Sequence, residues 1–332
     1  MTKPVKKVVL LHQQLLDPNA EDQIDTLVQV NSVRKALEQL DFHVFVEEFS
    51  LNNLDSLFSK IKLYSPEFVF NLVETEGKYL HLAPLFLEFY SIPYSGCSSE
   101  STYLTTNKVL AKLMLRQFNL PTANWFSLDS KVGEREMLNK KVIIKSIVED
   151  ASINIDDSSV SVFSSFEMMQ TEIQNKNNKY NDKFFIEEYI DGREFNISII
   201  GSSENPLVLP LAEMQFINFP EDKEKIISYS AKWDDSTFEY QNTLRTFDFE
   251  TSDKSLLKKL EAISLKCWEI FGLNGYARID FRVDKYNKPW ILEINANPGI
   301  SEDSGFVAAA NKSGLSYTDM IKVIINNLRK LK

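Results

Sequence analysis

At 332 residues the chain is longer than one compact core usually holds, which predicts two or three lobes. Its net charge of −10, on a composition that is 43% hydrophobic and 25% charged, excludes the broad basic footprint of a nucleic-acid or anionic-membrane binder; a bound polyanion would need locally gathered Lys and Arg and a metal. The two cysteines, Cys97 and Cys267, offer neither disulfide stapling nor metal-like spacing, residues 8–11 are too short for a secretory core, and no run approaches the ~20 apolar residues of a membrane span, so a cytoplasmic location is expected.

Residues 8–11 (VVLL) read as a buried strand, after which Ile24, Leu27, Val28, Val33, Leu37 and Leu40 recur at helical spacing. A strand at 42–46, a helix at 54–61, a strand at 68–70, a helix at 80–89 and the segment 92–96 continue the series. Such alternation predicts a parallel sheet with helices on its faces and ligands beyond the carboxyl ends of the strands. In a second unit, Thr105 and Thr106 are N-cap candidates for a helix through Phe118, with Val109, Leu110, Leu113 and Met114 inward and Pro121 just beyond. Strands follow at 142–145 and 184–190, and residues 175–182 (NKNNKYND) between them read as a solvated connection. The third unit holds a strand at 195–200, a polar stretch at 220–249, a helix at 254–271, two strands and a helix at 317–331. The expected architecture is α/β followed by α+β, divided as 1–104, 105–190 and 191–332.

The strongest chemical signal is residues 275–299 (GYARIDFRVDKYNKPWILEINANPG). Period two puts Ala277, Ile279, Phe281 and Val283 on one face of the first strand and Arg278, Asp280 and Arg282 on the other. In the second strand Trp290, Leu292 and Ile294 point one way, and Ile291, Glu293 and Asn295 the other. The loop 284–289 makes the two an antiparallel pair, so Asp280, Glu293 and Asn295 converge. Three oxygen ligands on rigid strands suit Mg²⁺, which takes one or two carboxylates and completes its shell with phosphate and water. The plainer reading is an edge hairpin with a wet, charged face. Two carboxylates and an Asn, beside Arg278 and a sharp Asn-Pro-Gly turn at 297–299, favour the metal.

This segment resembles the C-terminal signature of D-alanine–D-alanine ligases and other ATP-grasp carboxylate–amine ligases. The resemblance continues, in the family's order, through Phe70-Asn71-Leu72, residues 92–96, Asn107-Lys108 with Leu120-Pro121-Thr122, residues 142–145, residues 187–194 and Ala231-Lys232-Trp233. It implies an ATP-grasp fold behind an N-terminal parallel α/β domain, and an ADP-forming ligase that joins a small-molecule carboxylate to an amine through an acyl phosphate. ATP and two Mg²⁺ ions, with Mn²⁺ as a substitute, are the implied cofactors, and a homodimer the implied assembly; nucleic acid and membrane are not partners. Residue by residue, Lys108 and Lys145 would contact the phosphates, and Glu187, Glu188, Tyr189 and Ile190 would line the adenine pocket, partly through backbone groups. Glu194 would accept hydrogen bonds from the ribose, and Lys232 would reach the γ-phosphate from a mobile loop that Trp233 helps to seal. Arg278 would stabilise the tetrahedral intermediate, and Ser304 would sit near the substrate carboxylate.

Two departures stand out. The segment after Lys145 (residues 146–155, SIVEDASINI) lacks the family's glycines, which leaves Ser152 and nearby amides, with Asn154, to wrap phosphate. Residues 12–17 (HQQLLD), with Glu21, Asp22 and Asp25, do not reproduce the Gly-rich turn and glutamate that hold the first substrate's amino group, and residues 72–77 (LVETEG) lack the usual His-Gly. A substrate other than D-alanine is therefore expected. The glycine-poor loop also raises a second reading, a non-catalytic or regulatory ATP-binding protein that resembles the synapsins. Retention of Asp280, Glu293, Asn295, Lys232 and Arg278 together counts against it.

Overall fold

The computed structural model describes residues 5–15, 21–74, 77–129, 131–132, 134–149 and 155–329. Strand β1 (Lys6–Gln13) lies between β2 (Phe42–Phe49) and β3 (Phe68–Asn71) in a parallel sheet. Its run of apolar residues is explained by burial on both faces. Val8 and Leu10 pack toward α1 (Glu21–Gln39), while Val9 and Leu11 pack toward α2 (Leu54–Tyr64) and α3 (Leu82–Phe89). The segment at 92–96 contributes a single parallel bridge from Val69 to Tyr94.

The helical spacing in α1 is real, but only its second half, Val33, Leu37 and Leu40, meets the core. Ile24, Leu27 and Val28 are exposed, and the buried stripe runs through Thr26, Gln29, Val30, Val33 and Leu37. The polar members of that stripe are held at the carboxyl end of β1, where Gln13 donates to Thr26 Oγ1 (2.6 Å) and Gln29 donates to Glu74 (3.4 Å).

A correction of the same kind applies to the next helix. It is two helices, α4 (Ser99–Thr106) and α5 (Lys108–Gln117), broken at Asn107, whose side chain accepts from the Leu110 amide (3.0 Å). Thr105 does not cap; its hydroxyl returns to the Ser101 carbonyl (2.9 Å) inside α4. Leu113 is exposed, and α5 buries Val109, Ala111, Lys112 and Leu115 instead.

An antiparallel sheet carries the middle of the chain, in the order β5 (Lys131–Val132), β4 (Trp125–Phe126), β8 (Phe184–Glu188), β6 (Lys141–Ser146), β7 (Val160–Val162). Short α6 (Glu134–Met137) and longer α7 (Phe166–Tyr180) accompany it. The connection expected at 175–182 is mostly the end of α7, which stops at Asn181 in the left-handed conformation (φ 52°). Its polar residues lie on the solvent side, with Met169 and Ile173 buried on the other.

The last sheet runs β12 (Thr243–Thr246), β11 (Ala212–Phe216), β9 (Arg193–Gly201), β13 (Gly275–Val283), β14 (Pro289–Asn295), and β10 (Pro206–Val208) also pairs with β9. The polar stretch contains the short helices α8 (Tyr229–Trp233) and α9 (Phe238–Asn242). Helix α10 (Lys254–Ile270) seals one face, placing Leu260, Cys267 and Trp268 against Ile197, Ile199, Ala277 and Ile279. Helices α11 (Gly305–Lys312) and α12 (Tyr317–Asn326) pack into the same core as β1 and α1, so the beginning and end of the chain share one apolar interior. Beyond α12, which ends before the expected 331, the Arg329 amide donates to the Tyr94 carbonyl (2.8 Å).

Candidate active site

The hairpin β13–β14 sets the chemistry. Asp280 lies opposite Glu293, but the next residue, Phe281, lies opposite Ile291, so Leu292 is an extra residue in a bulge. The bulge resets the alternation of β14. Ile291 therefore joins the apolar core with Phe281, rather than sharing a face with Glu293 and Asn295 as strict period two predicted. The convergence of Asp280 with Glu293 survives, and Asn295 pairs with Arg278 two positions along.

Asp280 is buried and fully engaged. Arg278 donates to both of its oxygens (Nε–Oδ1 and Nη2–Oδ2, each 2.8 Å), and Asn196 donates to Oδ1 (2.9 Å). Glu293 faces cations. Burial alone would raise its pKa, but Lys108, Lys232, Lys145 and Arg278 outweigh that and hold it down at about 2. The nearest, Lys108 Nζ, lies 3.8 Å from Oε2 and donates to the Glu149 carbonyl (2.7 Å). Two carboxylates on paired strands, with Glu293 kept ionised, fit a hard divalent cation. No cluster of three or more His, Cys, Asp and Glu forms a cage among the described residues, so such a cation would take further oxygens from phosphate and water, the habit of Mg²⁺.

Lys145, on β6, reaches the same region and donates to Glu187 Oε2 (3.0 Å). Glu187 is almost wholly buried. Its other oxygen is ion-paired with Lys112, which also donates to Thr122 Oγ1 (2.8 Å). Burial pushes Glu187 upward, but Lys112 and Lys145 together keep it below the ordinary carboxylate range. Burial depresses Lys112 in turn, against the pull of Glu187. Lys112 was missed in the sequence, although it follows Lys108 by four residues and so shares its helix face.

Glu188 turns away from this group, accepting from Asn124 (3.2 Å) and lying 3.5 Å from Lys140. The amides of Glu188 and Tyr189 donate to the carbonyls of Asn124 (2.9 Å) and Lys141 (3.1 Å). Of the proposed adenine-binding backbone, the Ile190 amide donates to no described residue. Burial pushes the Tyr189 hydroxyl up to about 12, with the Arg282 guanidinium opposing from 6.0 Å above its ring. Glu194 is buried beside Arg282 (2.9 Å), a second cation that sequence reasoning did not assign. Burial raises Glu194 pKa, Arg282 opposes, and Asp280 adds to the rise.

Lys232 stands on α8, a single turn capped by Ser228. Burial and then Arg278 depress its pKa, while Glu293, Asp280 and Glu194 pull the other way, so it is within electrostatic reach of all four. The Tyr229 amide ties this turn to the Ile155 carbonyl (3.2 Å). Ser152 and Asn154, and the Trp233 side chain, lie outside the described residues. Ser304 caps α11, accepting from the Val307 amide (3.3 Å). The site thus gathers Lys108, Lys145, Lys232, Arg278, Asp280, Glu187, Glu194 and Glu293.

A family model for the D-ala D-ala ligase C-terminus matches residues 114–326. The chain is 30% identical over 261 residues to the uncharacterized protein y4sG of Sinorhizobium fredii, covering 78% of this chain and 73% of that one. It is 29% identical over 268 residues to a D-alanine–D-alanine ligase of Carboxydothermus hydrogenoformans, covering 77% and 80%. A D-alanine–D-alanine ligase from Bacillus anthracis, solved with ATP, superposes with a TM-score of 0.73 at 19% identity over 97% of this chain and 96% of the other. The expected ATP-grasp fold with an N-terminal α/β lobe is borne out.

Proposed function

The chain belongs to the D-alanine–D-alanine ligase family of ATP-grasp enzymes, and from that premise we propose that it joins the carboxylate of one amino acid to the amine of a second molecule through an acyl phosphate, releasing ADP and phosphate. The observation that carries this reading is the meeting of Lys108, Lys145, Lys232 and Arg278 around the ionised Glu293, directly across from Asp280.

A carboxylate does not react with an amine at neutral pH, because its own charge deactivates the carbonyl. Phosphorylation supplies a leaving group, and phosphoryl transfer requires in-line positioning and charge neutralisation more than a protein nucleophile. A divalent cation held by Asp280, Glu293 and Asn295 supplies part of that neutralisation when bound. Lys108 and Lys145 hold the phosphates from α5 and β6, and Lys232 closes over the transferred group from α8. Arg278, once drawn off Asp280, meets the negative charge that develops when the amine adds to the acyl carbon. Exclusion of water protects the acyl phosphate from hydrolysis, which gives closure of the α8 turn a chemical purpose.

The substrate is read as an amino acid other than D-alanine. Where the family's His-Gly would stand, Glu74 takes a 3.4 Å hydrogen bond from Gln29, and its amide donates to Gln13 (3.1 Å). D-alanine fits the family equally well, and one experiment decides. Amino acids are supplied in pairs with ATP and Mg²⁺, and ADP release and product masses are recorded. Substrate-dependent ADP release that is lost in Glu293→Ala, and lost with a chelator until Mg²⁺ or Mn²⁺ is restored, supports the ligase. Efficient, selective D-Ala-D-Ala formation overturns the substrate reading, and no release from any pair overturns the ligase.

A further inference from the structure

Arg282 lies on β13, two residues beyond Asp280, and is 4% exposed. Its guanidinium is fastened to three separate stretches of chain. It stands 2.9 Å from Glu194 Oε2 on β9, its Nη1 donates to the Gly192 carbonyl in the turn before β9 (3.0 Å), and its Nη2 donates to the Lys225 carbonyl in the polar stretch. The Tyr189 hydroxyl donates to that same Lys225 carbonyl (3.5 Å), and the guanidinium lies over the rings of Tyr189 and Phe216, 6.0 and 5.3 Å away. Gly192 (φ +148°) comes so close to β13 that an added β-carbon would stand 2.0 Å from the Val283 carbonyl oxygen. That approach puts its own carbonyl within reach of the fork.

Glu194 is 7% exposed, and among the described residues its Oε1 accepts no hydrogen bond. A carboxylate buried to this degree keeps its charge only beside partners, and Arg282 is the strongest influence opposing its burial. Lys145 and Lys232 act on it more weakly in the same sense. Together the three disfavour a further cation at the open oxygen. A neutral hydroxyl donor meets no such repulsion, and beside a phosphate held at Lys145 that donor is the sugar of a nucleotide.

We propose that Arg282 is a positioning residue for nucleotide selection: it fixes Glu194 in the orientation that receives the sugar hydroxyls, so that the enzyme discriminates against deoxyribonucleotides. The inference rests on the ATP-binding part of the ligase reading. That Glu194 faces the ribose is what the family resemblance implies; the added element is the guanidinium behind it, which ties the carboxylate to the Gly192 turn and to the polar stretch at Lys225. Arg282 acts through Glu194. It orients.

The test measures binding of ADP, 2′-deoxyADP and 3′-deoxyADP, each with Mg²⁺, by isothermal titration calorimetry. Wild type should bind ADP about tenfold or more tighter than at least one deoxy form, the scale of a hydrogen bond to a charged group. Arg282→Met should bring that ratio within about threefold by weakening ADP itself. Arg282→Lys should recover part of the ratio, because a compact ammonium cannot span the acceptors that the planar fork joins. In turnover with ATP the loss should fall on KM, with kcat within about threefold of wild type. A purely structural role would weaken ADP and the deoxy forms alike, so an unchanged ratio in Arg282→Met overturns the proposal, as does a wild type that binds all three equally. If Arg282→Met does not yield folded protein, Arg282→Lys decides: a ratio below wild type supports the assignment, and a wild-type ratio refutes it. Failure of the ligase reading looks different. ADP selected over its deoxy forms, with no ADP release from ATP and any substrate pair, leaves Arg282 in its role and removes the ligase; no binding of any nucleotide removes both.

Discussion

Replacing Lys112 by Met tests whether the interior ion triad holds the nucleotide side of the site. Lys112 and Glu187 are each only 1% exposed, and Lys145 is 13% exposed, so the substitution strands a carboxylate among Trp125, Phe185 and Val109 with one partner left. Breaking a buried pair costs about 3–5 kcal/mol, and Lys145, 3.0 Å away, offsets some of this; a loss of about 2–4 kcal/mol is expected. The lost bond to Thr122 belongs to the same sum. Urea unfolding at pH 7, followed by tryptophan fluorescence, measures it, since Trp125 is buried beside the triad. Lys112→Met combined with Glu187→Leu removes the stranded charge and should regain most of the loss. ATP affinity should fall about tenfold in the single variant, because Lys145 is then drawn wholly to Glu187 and away from phosphate. A single variant within about 1 kcal/mol of wild type, or a double variant less stable than the single, would refute the reasoning.

Glu293 gives a pH prediction. Its folded pKa is depressed from 4.5 to about 2, so the stability it contributes is complete above pH 4.5 and is lost as pH falls through that interval. The depression corresponds to roughly 3 kcal/mol at most; the stability gap between wild type and Glu293→Gln, from urea unfolding, should therefore be smaller at pH 3.5 than at pH 6. A gap independent of pH contradicts it. At Gly275 (φ +75°) an added β-carbon would lie 2.9 Å from the Cα of Gly96, where the first lobe meets β13. Gly275→Ala should cost about 3 kcal/mol or more, seen as lost soluble yield or an earlier urea midpoint, and wild-type stability would show that this seam yields.

The alternation in 277–283 was legible because both faces of β13 are decided by its own side chains. The bulge at Leu292 was not, because it depends on how two strands register, and no residue of β14 announces it. In α1 the hydrophobic pattern marked Val33, Leu37 and Leu40 but not the first turns, because there Thr26 and Gln29 occupy the inward positions and bond to Gln13 and Glu74. The break at Asn107 competed with equally good capping residues at 105 and 106, and only the hydrogen bonds separate them. Lys108, Lys145, Asp280 and Glu293 stood out by motif. Lys112 did not, since it acquires its role from a partner far away in the chain, Glu187 on β8.

The apolar interior shared by β1, α1, α11 and α12 joins residues 8–72 to residues 300–324. On a ribosome the opening strands and their first helix emerge long before the helices that finish covering them. That lobe waits, half-clad, through synthesis of the whole nucleotide-binding portion. Shortening the carboxyl end therefore strips the amino-terminal lobe first, and a nascent chain stalled before residue 300 should be a stronger client for chaperones than the finished enzyme.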